Sequence, residues 1–120
     1  MAKSDEGSGG MISLSTHVLD TAHGCPASGV ALRLLDANGQ ALFTGVTNAD
    51  GRCPGLPPID PGRYRLEFAV AAYFLAAGID LPDPPFLDLI AIDFGVADPA
   101  GHYHVPLLVS PYGYSTYRGS

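Results

Sequence analysis

Short runs in which apolar and polar residues alternate make up most of the chain after residue 11. A period of two is typical of strands with one buried face, because successive side chains on a strand point to opposite sides. The runs are Ile12 to Leu19, Val30 to Leu35, Ala41 to Val46, Tyr64 to Ala69, Phe86 to Phe94, Tyr103 to Val109 and Tyr114 to Arg118. This pattern predicts seven or eight strands.

Turn sequences separate the runs and indicate how the strands connect. Asp36 to Gly39, Asn48 to Gly51 and Asp60 to Gly62 are rich in residues that tolerate the backbone angles of tight turns. Repeated short strands with such turns predict an all-β fold, a two-sheet Greek-key sandwich. Pro106 falls inside a run, so its strand lies at an edge or its missing N–H has no ladder partner.

One segment does not alternate. Val70 to Ala77 (VAAYFLAA) replaces β-branched residues with alanine and leucine, which favour helix, and Gly78 follows as a candidate C-cap. The sandwich is therefore predicted to carry one short helix.

Composition narrows the class of protein. The 120 residues are 47% hydrophobic and 15% charged, which suits one domain with its own core, and the net charge of −6 argues against nucleic-acid binding. No apolar run approaches the roughly 18 residues that span a membrane. With two cysteines, expected to be free thiols, a cytoplasmic location is the default.

Residues 1–10 lack periodicity and are predicted to be a disordered tail before a domain over residues 11–120.

Histidines gather on polar strand faces. Alternation places Ser13, Ser15 and His17 on one face of the first run, and His102 and His104 side by side on one face of a later run. A single exposed histidine is usually only solvated. Three of the four histidines in such positions favour a functional site, and imidazole is the usual base near neutral pH.

A metal site is the alternative for these histidines. His102 and His104 would project the same way, with His17 as a possible third ligand. No carboxylate or thiolate stands near them in the pattern to complete the set. A site without metal or cofactor is therefore the favoured interpretation.

Arg52 and the C-terminal residues add donors and positive charge. Arg52 follows the turn of Thr47 to Arg52 (TNADGR), where its guanidinium suits an oxyanion, although such turns also occur in sandwiches for structural reasons alone. Three tyrosines and Arg118 crowd residues 112–120, and no acidic side chain occurs after Asp98. We expect this end to be ordered and suited to an anionic or acidic small molecule.

Four sequence blocks carry a resemblance to a known family. They are Ser15 to Thr21 (STHVLDT), Thr47 to Arg52 (TNADGR), His102 to Leu108 (HYHVPLL) and Tyr114 to Ser120 (YSTYRGS). With these blocks the chain from Ile12 onward resembles the 5-hydroxyisourate hydrolases, the enzymatic branch of the transthyretin family. The ending Tyr117 to Ser120 is the most specific of the four.

The resemblance implies a function and a site. It implies a transthyretin-like (prealbumin-like) sandwich that hydrolyses 5-hydroxyisourate without a cofactor, as a homotetramer with active sites at subunit interfaces. The residues implied as catalytic are His17, Arg52 and His104, and those implied to bind substrate are Tyr117, Arg118 and Ser120. Two alternatives remain: a transthyretin-like protein that binds a small molecule without catalysis, and a structural module of the kind appended to larger enzymes. His17 and His104 count against the first, and the second leaves the histidine blocks and the terminal tetrapeptide unused.

Overall fold

Ten short strands and one helix follow one another along residues 12–119, the part of the chain that the computed structural model describes. The predicted tail over residues 1–10 lies outside these residues. The strands are β1 (Ile12–Ser15), β2 (Val18–Asp20), β3 (Cys25–Pro26), β4 (Ala31–Asp36), β5 (Ala41–Val46), β6 (Gly62–Ala69), β7 (Leu89–Val96), β8 (Gly101–His104), β9 (Leu107–Ser110) and β10 (Gly113–Thr116). The helix α1 is Val70–Ala76 and lies between β6 and β7.

The strands form two layers. One is an antiparallel sheet of order β5-β4-β6-β7. The other has the order β10-β9-β2-β3, and the parallel pair β1-β8 continues it, because β1 leads into β2 and β8 into β9. If β1 with β2, and β8 with β9, are each counted as one interrupted strand, residues 12–119 contain eight strands. The predicted all-β sandwich of seven or eight strands is therefore confirmed.

A proline causes one of the interruptions. Pro106 lies between β8 and β9, and on either side of it the N–H groups of Val105 and Leu107 donate to the carbonyls of Ser15 and His17, both at 2.9 Å. The strand β9 is not at an edge, since it lies between β10 and β2. The edge interpretation is therefore wrong, and the proline instead occupies a gap in the ladder.

Two strand boundaries differ from the prediction. The strand expected from Phe86 begins only at Leu89, because the carbonyl of Asp88 accepts hydrogen bonds from the first N–H groups of α1, those of Val70 and Ala71. The last strand ends at Thr116. The two-residue strand β3 was not predicted, since so short a segment has no readable period.

The helix agrees with the prediction, and Gly78 explains where it ends. Gly78 has a φ of +87°, its N–H donates to the Leu75 carbonyl, and the N–H of Ile79 donates to the Phe74 carbonyl. These two bonds form a Schellman motif, which favours glycine at this position. Within residues 12–119 there is no helix long and apolar enough to cross a membrane.

Alternate residues of both sheets meet in one core. Its largest fully buried side chains are those of Ile12, Val18, Val30, Leu34, Leu66, Phe68, Val70, Phe74, Leu107 and Val109. Because one face of each strand is committed to this core, the opposite face of β1 and β8 is left for polar side chains. Both cysteines are free thiols, Cys53 buried and Cys25 exposed.

A buried carboxylate ties the end of β2 to the helix. Asp20 is 1% exposed, and its oxygens accept hydrogen bonds from the N–H groups of Ala22 and His23, the His23 ring and the Tyr73 hydroxyl. Burial alone would raise the pKa of this carboxyl, but the hydrogen bonds from His23 and Tyr73 outweigh it and hold the pKa below its ordinary value.

We expect Asp20→Asn to lower the free energy of unfolding by about 2 kcal/mol, because the bonds to a charged acceptor are lost. A lowered native pKa means that the contribution of Asp20 is fully present above the ordinary carboxyl value of about 3.9 and is lost as the pH falls through the native pKa. Thermal unfolding at neutral pH and near pH 3, at fixed protein concentration, measures both effects. An Asp20→Asn protein as stable as the wild type at neutral pH would contradict the assignment.

Candidate active site

The turn before Arg52 is held by its own side chains. The Asn48 carboxamide oxygen accepts from the N–H groups of Asp50 (2.9 Å) and Arg52 (3.1 Å). Gly51 has a φ of +76°, and a Cβ there would collide with the Val18 carbonyl oxygen, so the position requires glycine. The TNADGR block therefore has a structural role. The turn that it forms places the exposed Arg52 side chain beside the start of β2.

His17 is fixed against this turn. It lies between β1 and β2, and its backbone pairs with that of Arg52 in an isolated antiparallel bridge. The Nε2 atom of His17 is 2.8 Å from the Asp50 carbonyl oxygen. Since a carbonyl only accepts, Nε2 carries the proton, and the neutral ring has its lone pair on Nδ1.

Parallel pairing of β1 with β8 brings the other two histidines against serines. The register aligns Ser13 with His102 and Ser15 with His104. The Ser15 hydroxyl is 2.7 Å from Nδ1 of His104 and 2.9 Å from Nε2 of His102, and the Ser13 hydroxyl is 2.6 Å from Nδ1 of His102. The predicted polar face is confirmed, and its side chains form one hydrogen-bonded chain.

Burial and neighbouring positive charge favour the neutral form of His104. Partial burial lowers the pKa of the His104 imidazole. The positive charge of Arg52, and that of His17 and His102 in their protonated forms, lowers it further. A half-buried imidazole with a depressed pKa is unprotonated at neutral pH, which is the state a general base requires.

Gly119 packs directly on the His104 ring. Its N–H donates to the His104 carbonyl at 2.7 Å, and a Cβ at Gly119 would approach Cδ2 of His104 to 2.6 Å. The C-terminal segment therefore forms one wall of the site. Only a residue without a side chain allows this approach.

Arg118 and Tyr117 lie elsewhere. The Arg118 guanidinium stacks 3.9 Å above the Tyr103 ring, and its Nη2 is 3.4 Å from the Asp98 carboxylate. Tyr103 points into the core, on the opposite side of β8 from the histidines, so Arg118 is turned away from them. Tyr117 is exposed, and together with Tyr103 and Arg118 it lines a groove of 220 Å³. Ser120 lies outside the described residues.

The two candidate metal ligands on β8 face a hydroxyl between them. Ser15 bridges the rings of His102 and His104. Among residues 12–119, no group of three or more histidine, cysteine, aspartate or glutamate side chains is arranged to hold a metal ion.

The contacts of Ser13 and Ser15 with His102 and His104 could not be predicted from the sequence. Alternation placed Ser13 and Ser15 on the correct face, but it could not align them with particular histidines. The partners are 87 to 89 residues apart in sequence, and a register between such distant strands leaves no local signal.

The sandwich, together with the candidate site residues His17, Arg52 and His104, defines a transthyretin-like protein. Residues 14–119 match the model of the HIUase/Transthyretin family, and the chain belongs to this family.

Named relatives support this membership. The chain is 53% identical over 114 residues to the 5-hydroxyisourate hydrolase of Pseudomonas aeruginosa, covering 89% of this chain and 90% of that one. The solved 5-hydroxyisourate hydrolase of Klebsiella pneumoniae is 40% identical, with a TM-score of 0.79 over 92% of this chain and all of its own.

Two other solved structures share the fold. An (S)-allantoin synthase has a TM-score of 0.86 and 40% identity over 96% of this chain, which spans 46% of that longer chain. Sea bream transthyretin in complex with thyroxine has a TM-score of 0.77 and 35% identity, covering 88% of this chain and 93% of its own. A synthase and a transthyretin in complex with thyroxine are thus both similar to this chain.

Proposed function

We propose that the chain hydrolyses 5-hydroxyisourate to 2-oxo-4-hydroxy-4-carboxy-5-ureidoimidazoline, a step of urate degradation, and that His17, Arg52 and His104 carry out the reaction. The observation that carries this proposal is the His104 imidazole, whose Nδ1 lies 2.7 Å from the Ser15 hydroxyl and whose pKa is lowered by burial and by the Arg52 guanidinium. The relatives that bear the name 5-hydroxyisourate hydrolase support the same reaction.

The residues have separable tasks. One imidazole takes a proton from water as the water oxygen bonds to the ring carbonyl carbon, and Arg52 stabilises the negative charge on the carbonyl oxygen. The carbon–nitrogen bond then breaks, and an imidazolium returns the proton to the leaving nitrogen. Both His17 and His104 are able to act as the base, since each has a partner for one ring nitrogen. No metal or cofactor takes part in these steps.

Assembly and location belong to the proposal as well. We expect a cytoplasmic homotetramer with active sites at its subunit interfaces. Because Arg118 is turned away from the histidines of its own chain, we propose that Tyr117, Arg118 and Ser120 bind substrate only where a second subunit completes the pocket. Exposed apolar side chains support association, among them Leu89 on the edge strand β7 and Tyr114 on the edge strand β10. An unpaired edge with exposed apolar residues is suited to pairing with a second copy.

A ligand-carrying function is the rival, given the similarity to a thyroxine-bound transthyretin. Binding alone requires neither an imidazole of depressed pKa nor a guanidinium beside it. These groups therefore favour catalysis over carriage.

Freshly generated 5-hydroxyisourate tests the proposal. The wild-type protein is expected to accelerate the loss of its ultraviolet absorbance well above the spontaneous rate, at catalytic protein concentration. A rate equal to spontaneous decay, together with stoichiometric binding of the compound, would establish the carrier function instead.

The pH profile tests the state of His104. Because the pKa of His104 is lowered, we expect kcat/KM to be flat through neutral pH and to fall on the acid side with an apparent pKa below the ordinary histidine value of about 6.5. Arg52→Gln should move this pKa upward, since a positive neighbour is removed. A profile without an acid limb down to about pH 4, well below that ordinary value, would exclude a histidine base.

A further inference from the structure

Four side chains on β1 and β8 form a hydrogen-bonded chain that ends at His104, one of the two histidines proposed to act as the base. It runs from Ser13 through His102 and Ser15 to His104, with nitrogen–oxygen distances of 2.6, 2.9 and 2.7 Å. At its outer end the Ser13 hydroxyl is also 3.4 Å from the Gly101 carbonyl oxygen. His102 is exposed, and the reaction as described above gives it no task.

Hydrogen counting gives this chain a direction. The Gly101 carbonyl only accepts, so the single hydroxyl proton of Ser13 goes to it, and Nδ1–H of His102 donates to Ser13. A neutral His102 then accepts on Nε2 from the Ser15 hydroxyl. With that proton used, Ser15 accepts from Nδ1–H of His104. The opposite direction makes one bond fewer, because Ser13 would then turn its proton from Gly101 to His102.

We propose that His102, acting through Ser15, is a positioning residue that keeps the proton of neutral His104 on Nδ1 and leaves the lone pair on Nε2. This inference deepens the function proposed above and rests on it, since it selects the basic nitrogen of His104. Gly119 blocks the ring from turning, as its backbone lies against the Cδ2 edge of His104. The serine partner and the glycine wall together fix both the orientation and the tautomer of the ring.

Nitrogen NMR of the unaltered protein tests the tautomer without any substrate. Protein labelled with ¹⁵N-histidine is examined near pH 8, where histidines are neutral, and the His104 ring is assigned by its proximity to Gly119. We expect Nδ1 of His104 to be the protonated nitrogen and Nε2 the bare one. A proton on Nε2 would overturn the inference, and this measurement decides it even if the protein proves inactive on 5-hydroxyisourate.

Two substitutions at His102 test the consequence for catalysis. His102→Phe removes the acceptor of the Ser15 hydroxyl, which then donates to Nδ1 of His104 and moves the ring proton to Nε2. We expect kcat to fall about tenfold or more with KM within about twofold, since the base and not substrate binding is affected. His102→Gln returns an acceptor oxygen toward Ser15 and is expected to restore most of kcat and the wild-type tautomer.

A double substitution separates the relay from simple packing. Because Ser15 links the two rings, His102→Phe should have no further effect on kcat in a Ser15→Ala background. Additive losses in the double variant, or a His102→Phe protein with wild-type kcat and tautomer, would overturn the inference. An inactive wild type would instead refute the proposed reaction, a result that the tautomer measurement keeps distinct.

Discussion

His104→Asn is expected to lower kcat for 5-hydroxyisourate by about a hundredfold or more, the usual range for a lost general acid or base. Asparagine has no basic nitrogen, but its carboxamide occupies the space of Nδ1 and still reaches the Ser15 hydroxyl, so the fold should survive. The same loss is expected for His17→Asn. Initial rates from ultraviolet absorbance, with circular dichroism to verify folding, measure the effect.

The matched control is His23→Asn. His23 is a partly exposed histidine that bonds to Asp20, outside the proposed site. Its replacement should leave kcat unchanged, although stability decreases. If His104→Asn or His17→Asn retains near wild-type kcat in folded protein, the role given to that histidine is wrong.

A single methyl group at Gly119 should cost nearly as much activity. In Gly119→Ala the new Cβ would lie 2.6 Å from Cδ2 of His104, closer than carbon atoms tolerate, and the ring cannot retreat without breaking its bond to Ser15. Displacement of a catalytic group by about 1 Å can cost a hundredfold, so we expect kcat to fall ten- to a hundredfold. Gly113→Ala is the control, because its Cβ would meet only the Ser110 hydroxyl, at 3.8 Å. Equal kcat values for the two variants would show that Gly119 does not position His104.

Larger changes to the C-terminal residues are expected to reduce activity for the same reason. Deleting Tyr117 to Ser120, or adding a purification tag after Ser120, should abolish or cripple turnover, whereas a tag at Met1 should be harmless. The comparison is made at matched oligomer content. Equal activity of the two tagged proteins would mean that the terminal residues serve no catalytic purpose.

The sequence predicted those parts of the fold that depend on local pattern. Alternation from Ile12 to Val18 identified the buried and polar faces, and the change of composition at Val70 located the helix, which Gly78 ends as expected. The boundary of β7 was placed too early because apolar Phe86 and Leu87 extend the pattern. Nothing local shows that the Asp88 carbonyl accepts from the helix.

Candidate site residues could be named from the sequence, but the contacts between them could not. His17, Arg52 and His104 followed from the sequence blocks. The structure pairs His17 with Arg52 beside the turn at Gly51 and places His104 against Ser15. The direction of Arg118 did not follow, because it depends on the Tyr103 ring and the Asp98 carboxylate, which meet it only in the folded chain. The acid-free stretch after Asp98 is thus less positive than its sequence suggests.

The parallel pairing of β1 with β8, and of β2 with β9, also governs how the molecule folds. The sheet of β4 to β7 is built from antiparallel neighbours, and its β4-β5 and β6-β7 pairs join segments that follow one another in the chain. By contrast, the hydrogen-bonded chain from Ser13 to His104 joins residues nearly ninety positions apart in the sequence. Closing a loop of this length has an entropic cost that delays its formation. In refolding, the antiparallel sheet of β4 to β7 should therefore form first. Catalytic competence is acquired last, when β1 pairs with β8.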